Sequence, residues 1–218
     1  MAWDPLEQLA DQQRQKLREF EELLLEFNRR MNLVSREDEA TIFHHHIVHC
    51  LSLTCRAFPD DALVVDWGTG GGLPAIPLAI AFPRVQFLGV DSVGKKAQAV
   101  KAMARRLQLQ NVSVWKGRAE DFDGMLDYSV SRATAPLAQL WSWHTRARAV
   151  RSHPRTTGAE LWRRGLVCLK GGDLSRERAA LPRDVCVNEV RLGSFYDDPY
   201  YREKCILECF TSPESNSA

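Results

Sequence analysis

Leu63-Val64-Val65-Asp66-Trp67-Gly68-Thr69-Gly70-Gly71-Gly72-Leu73-Pro74 is the stretch that decides the fold. Leu63 to Asp66 reads as a short buried strand. The glycines that follow let the backbone turn sharply and approach a ligand closely. Pro74 suits the first turn of a helix over 74–81. Strand, glycine turn and helix make the first unit of an open α/β sheet. Ligands of such sheets sit beyond the carboxyl ends of the strands, where this turn lies.

Working outward, the pattern repeats. Val85 to Val90 reads as a second strand ending at Asp91, and 94–109 as an amphipathic helix with a basic outer face. Further strands are expected at Val112 to Trp115, Tyr128 to Val130 and Gly165 to Leu169, with a helix over 136–150. Residues 184–195 and 203–210 alternate as an antiparallel pair would. Upstream, 6–30 and 36–57 carry helical periodicity. The expectation is an α/β, Rossmann-like fold with a mostly parallel seven-stranded sheet. A C-terminal antiparallel hairpin closes one edge. Residues 1–62 are expected as an N-terminal helical extension and 63–218 as the main domain, together one structural unit.

The dinucleotide fingerprint GxGxxG, begun at Gly68, fails at Leu73. What remains is GxGxG at Gly68, Gly70 and Gly72, a spacing typical of S-adenosylmethionine-dependent methyltransferases. Asp91 lies at the end of the next strand, where a carboxylate can accept both ribose hydroxyls of a nucleoside. That geometry serves nicotinamide and adenosylmethionine cofactors alike, and a helix-capping aspartate is the alternative. In the loop after the third strand, Ala119 can pack on an adenine, and its backbone and that of Glu120 can read the ring edge. The alternative there is an ordinary acidic turn. After the fourth strand comes Ser131-Arg132-Ala133, not the Asn/Asp-Pro-Pro-aromatic tetrapeptide common in methyltransferases of exocyclic amines. Arg132 is expected at the mouth of the site, holding a phosphate, a methionine carboxylate or a guanine edge. A structural arginine paired with an acid is the alternative.

Asp66 to Pro77 (DWGTGGGLPAIP), Asp91 to Lys96 (DSVGKK), Asn32 to Ser35, His45-His46-Ile47, Gly117 to Phe122, Ser131 to Ala133 and Leu169 to Gly172 together resemble the bacterial RsmG (GidB) family. These are 16S ribosomal RNA guanine-N7 methyltransferases. The resemblance implies a class I methyltransferase, with S-adenosyl-L-methionine as cofactor and a guanine of small-subunit 16S rRNA as substrate. By position it implies cofactor contacts at Gly68, Leu73, Ala119, Glu120 and Arg132. Guanine N7 carries a lone pair and no proton, so no general base is needed and none is expected. Arg132 and Lys170 are the candidate substrate positioners. The sequence departs from the family at Gly71, where proline is frequent, and in a longer segment between Trp143 and Lys170.

Lys and Arg total 29 and Asp and Glu 28, giving net charge +1, with 44% hydrophobic and 26% charged residues. This excludes a disordered chain, a collagen-like repeat or a coiled coil. The near-neutrality is a cancellation: 144–164 holds six arginines and two histidines against Glu160. That excess is the expected RNA-facing surface. The helix bearing Lys95, Lys96, Lys101, Arg105 and Arg106 is a weaker candidate. The N-terminus lacks the basic start and apolar run of a signal peptide, so a cytoplasmic location is expected. So is a monomer. Cys50, Cys55, Cys168, Cys186, Cys205 and Cys209 lack zinc spacings and are expected as buried free thiols. His44, His45, His46 and His49 are expected to pack or to contact RNA rather than bind metal. The competing readings are a non-catalytic RNA-binding ribosome-assembly factor and, more distantly, a nicotinamide oxidoreductase.

Overall fold

The computed structural model describes residues 3–132, 134–149 and 160–211. Seven strands form the central sheet: β1 (Leu63–Trp67), β2 (Gln86–Asp91), β3 (Val112–Lys116), β4 (Tyr128–Arg132), β5 (Leu166–Gly171), β6 (Val185–Arg191) and β7 (Lys204–Thr211). Their order across the sheet is β3-β2-β1-β4-β5-β7-β6. The first five run parallel, whereas β7 is antiparallel to both β5 and β6. The closing hairpin thus lies at one edge, with β7 inserted and β6 outermost. β1 has its sequence successor on one side and β4 on the other. The chain therefore changes direction at β1, and a crevice opens at its carboxyl end.

Helices α1 (Asp11–Met31), α2 (Ala75–Ala81), α3 (Gly94–Arg106), α4 (Leu137–Arg146) and α5 (Ser175–Ala179) cover the sheet. On one face Leu17, Phe20 and Leu24 of α1 share a core with Ile76 and Val100. On the other, Trp67, Leu140, Trp141 and Trp143 form a second core. Among the described residues no helix is long and apolar enough to cross a membrane.

Four boundaries differ from expectation. The first helix starts at Asp11, because the Gln13 side chain accepts the Ala10 N–H at 2.9 Å and leaves Leu6 and Leu9 in a preceding turn. α3 stops at Arg106, where Gln108 takes φ 54° and Leu109 N–H bonds back to Ala104 O. α4 ends at Arg146, since Arg148–Ala149 pairs with Met125–Leu126 instead of continuing the helix. The helical run expected over 36–57 spans 36–55 as a 3-10 turn (Arg36–Thr41), a π turn (Ile42–Val48), one α turn (His49–Leu51) and a 3-10 turn (Ser52–Cys55). The wide turn buries Ile42, Phe43, His46, Ile47 and Val48, more than one face of a regular helix would.

All six cysteines are free thiols, and Cys186 is exposed rather than buried because it lies on the outermost strand. The histidine run packs against the segment before β7. His45 stacks on Tyr200 at 4.0 Å and bonds Asp198 at 3.1 Å, and Tyr200 Oη donates to His45 O at 2.9 Å.

The arginine-rich segment is described only in part. Residues 150–159 lie outside the described residues. The arginines beside them whose side chains are described serve the fold. Arg146 donates to Glu120 O, Arg164 pairs with buried Asp127, and Arg163 lies 4.4 Å over Phe210 while its N–H bonds Glu208. His144 is half-buried, with Nδ1 2.9 Å from Ser129 Oγ. Arg164 offsets the buried Asp127 carboxylate and Arg163 covers the buried Phe210 ring, so both are tied to the fold, while Arg146, Arg163 and Arg164 all remain exposed.

Candidate active site

Three glycines build the turn after β1. Gly68, Gly70 and Gly72 have φ of 70°, 55° and 83°, values that favour residues without a Cβ. A Cβ at Gly68 would lie 2.2 Å from Thr134 Cγ2, and one at Gly72 would lie 2.6 Å from Ile76 Cδ1. At Gly70 the space is open, leaving backbone for a ligand to approach. Gly71 is backed from behind. A Cβ there would lie 2.9 Å from Leu24 Cδ1 and 3.2 Å from Leu33 Cβ. The N-terminal extension occupies the room a larger residue would need.

Asp91 takes the capping role that the sequence left open, and adds a second backbone contact to it. Its Oδ2 accepts Gly70 N–H at 3.0 Å and its Oδ1 accepts Val93 N–H at 2.8 Å. One carboxylate thus pins the glycine turn and holds the entry to α3. Each oxygen keeps lone-pair capacity for a hydroxyl.

These residues line a cleft of about 610 Å³, within the range of small-molecule sites. Gly68, Gly70, Leu73, Asp91, Ala119, Glu120 and Arg132 all border it. Gly72 stands behind the turn. Ala133 lies outside the described residues. The sequence reading missed Leu33, Lys96, Thr134, Gln139 and Trp143, which also border it. Thr134 carried no signal beyond its place after the fourth strand. Its Oγ1 donates to Trp67 O at 3.0 Å and closes the turn. Glu120 sits in a 3-10 turn, Ala119–Asp121, and accepts from Gln139 at 3.3 Å.

Lys170 is not among the cleft residues. Its Nζ donates to Ala135 O at 2.8 Å and to Glu177 Oε2 at 2.7 Å. The same Glu177 oxygen accepts Leu137 N–H at 2.7 Å. Lys170 therefore anchors the 134–136 loop from behind, its charge satisfied within the fold.

Arg132 reaches the cleft from the end of β4, with Nη2 2.8 Å from His46 Nδ1. Below the turn, Asp66 is fully buried. Its Oδ2 accepts Ala75 N–H at 3.2 Å, and its Oδ1 has no partner among the described residues. Burial above all pushes its carboxyl up to about 7. The folded protein therefore holds a proton on Asp66 that the unfolded chain releases near pH 4. The carboxylate's contribution weakens folding as pH rises from about 4 to about 7. Asp66→Asn should become progressively more stable relative to the parent across that window. Urea midpoints at pH 4.5 and 7.5 check this, and a constant difference would refute it. Comparison with the parent is needed because His46 and His144, held down to about 4 by burial, slope the opposite way.

The sheet order, the glycine turn at the end of its central strand and the acid ending the next strand define a Rossmann-like methyltransferase. The family model for "rRNA small subunit methyltransferase G" matches residues 13–153. The chain belongs to that family. It is 55% identical over 181 residues to the ribosomal RNA small subunit methyltransferase G of Salinibacter ruber, covering 83% of each chain. The protein of the same name from Parabacteroides distasonis is 38% identical over 200 residues, covering 91% of this chain and 84% of that one. Among solved structures, a mutant of MtNAS superimposes with TM-score 0.53 at 13% identity, covering 88% of this chain and 71% of that one. This last likeness concerns the fold alone.

Proposed function

We propose that this chain transfers a methyl group from S-adenosyl-L-methionine to N7 of a guanine in 16S rRNA of the small ribosomal subunit. The observation that carries the proposal is the cleft at the carboxyl ends of β1 and β2, where the glycine turn and the Asp91 carboxylate converge on one nucleoside-sized space. In this reading Asp91 accepts the ribose hydroxyls, and Ala119 packs on the adenine while the Glu120 backbone reads its edge. Gly68, Gly70 and Leu73 shape the floor, and Gly72 supports the turn from behind. Arg132 offers a guanidinium fork to the carboxylate of the amino-acid end.

When bound, the cofactor supplies an electrophilic methyl group. Transfer to guanine N7, which carries a lone pair and no proton, would break the sulfur–methyl bond, leave adenosylhomocysteine and need no side chain to act as a base. What the chain contributes is binding, alignment and exclusion of water. Lys170 acts one step removed, by holding the loop at 134–136 that borders the cleft. We also read residues 1–62 as an integral part of this unit, supported by Leu24 and Leu33 behind Gly71. We place the protein in the cytoplasm, the compartment in which bacterial rRNA is made.

The test is to map N7-methylguanine in 16S rRNA from cells with and without the gene, and to assay labelled methyl transfer to purified 30S subunits. One N7-methylguanine should disappear on deletion. Identical maps together with no transfer to 30S would leave an RNA-binding assembly factor as the better reading.

A further inference from the structure

We propose that His46 and Asp38, both in the N-terminal extension, are positioning residues for Arg132. The inference deepens the proposed function and rests on reading Arg132 as the cofactor carboxylate's partner.

The geometry is directional. A guanidinium has donors and no acceptor, so His46 Nδ1, 2.8 Å from Arg132 Nη2, must accept. The ring proton of the neutral imidazole then sits on Nε2, which faces Asp38 Oδ2 at 3.3 Å. Asp38, His46 and Arg132 thus form one line of polar contacts from the extension into the cleft, a hydrogen bond from Arg132 to His46 and a 3.3 Å approach of His46 to Asp38. The fixing of a ring tautomer by the group behind it is a common way to orient a working side chain.

The surroundings keep this chain in one state. His46 is only 7% exposed. Burial first, and the adjacent Arg132 charge second, hold its pKa down to about 4, so it remains an acceptor at neutral pH. The π turn over Ile42–Val48 makes the contact possible, burying His46 while His44 on the same turn stays exposed. An arginine has long, freely rotating torsions, and aligning it on a ligand costs rotamer entropy. Fixing one of its five donors on His46 reduces that loss and leaves the other donors for the carboxylate.

The bland alternative is that His46 only packs the extension against the sheet. Two amide variants separate the readings. The Asn oxygen in His46→Asn can occupy the place of Nδ1 and still accept from Arg132. The Gln amide in His46→Gln reaches the place of Nε2 and keeps only the Asp38 contact. Adenosylhomocysteine affinity by calorimetry and methyl transfer to 30S subunits are read for each, with circular dichroism confirming folding. His46→Ala should weaken both by about 10- to 100-fold, the scale of losing a supporting partner behind a working side chain. His46→Asn should recover most of the loss and His46→Gln little of it.

Rescue by Gln but not Asn would overturn the proposal in favour of packing. So would parental behaviour of both His46→Ala and His46→Asn beside a defective Arg132→Ala. An Arg132→Ala variant that binds and transfers as the parent does would overturn the reading of Arg132 and the relay with it.

Discussion

Gly68→Arg should abolish adenosylhomocysteine binding while leaving a folded protein, and Gly68→Ala should weaken binding strongly. Two effects add. A residue with a Cβ held at φ 70° carries about 1–2 kcal/mol of local strain. Even the single methyl of alanine would sit 2.2 Å from Thr134 Cγ2, so the threonine must move. Moving it breaks the hydrogen bond from Thr134 Oγ1 to Trp67 O, which closes the turn over the end of β1. The arginine side chain would in addition have to leave through the cleft itself. Calorimetric titration gives the affinity and thermal unfolding reports the fold. Binding within threefold of the parent in Gly68→Arg would show that the turn does not cradle the ligand.

Asp91→Ala is expected to be of comparable severity, for a different reason. Hydrogen bonds to a charged acceptor contribute roughly 1.5–3 kcal/mol each, so losing two ribose contacts should lower affinity by on the order of 10²- to 10⁴-fold. The loss also frees Gly70 N–H and Val93 N–H, loosening both the turn and the start of α3. Asp91→Asn keeps one oxygen but turns an NH₂ group toward a backbone donor, so it should fall between Ala and the parent. If Asp91→Ala lowers the melting temperature while ligand affinity per folded molecule is unchanged, the residue is only a structural cap.

The parts of this fold that were legible in the sequence share a physical cause. Strands buried on both faces read as apolar runs, and Val64, Val65, Phe87 and Val90 announced themselves in that way. Gly68, Gly70 and Gly72 were legible because their backbone angles restrict composition. Asp91 was legible from its place at the end of a strand, although its hold on both Gly70 and Val93 could not be read from one residue. The rest depended on contacts distant in sequence. Lys170 looked free because its partners Ala135 and Glu177 are brought together only by the sheet. The partners of Arg146, Arg163 and Arg164, namely Glu120, Phe210 and Asp127 across the fold, leave no mark in a local charge count. The π turn escaped notice since periodicity arguments assume a uniform helix. The tie from His46 to Arg132 spans 86 positions and leaves no local trace.

Leu24 and Leu33, packed behind Gly71, have a thermodynamic corollary. A ligand seated on the front of the glycine turn holds that turn in the one shape against which the two leucines fit. Occupancy of the cleft and folding of α1 are thereby linked equilibria, each raising the other by the same factor. The extension is then less an appendage than a spring behind the binding loop. A change in α1 far from the cleft can alter affinity, and the ligand can in turn slow the local opening of a helix it does not touch.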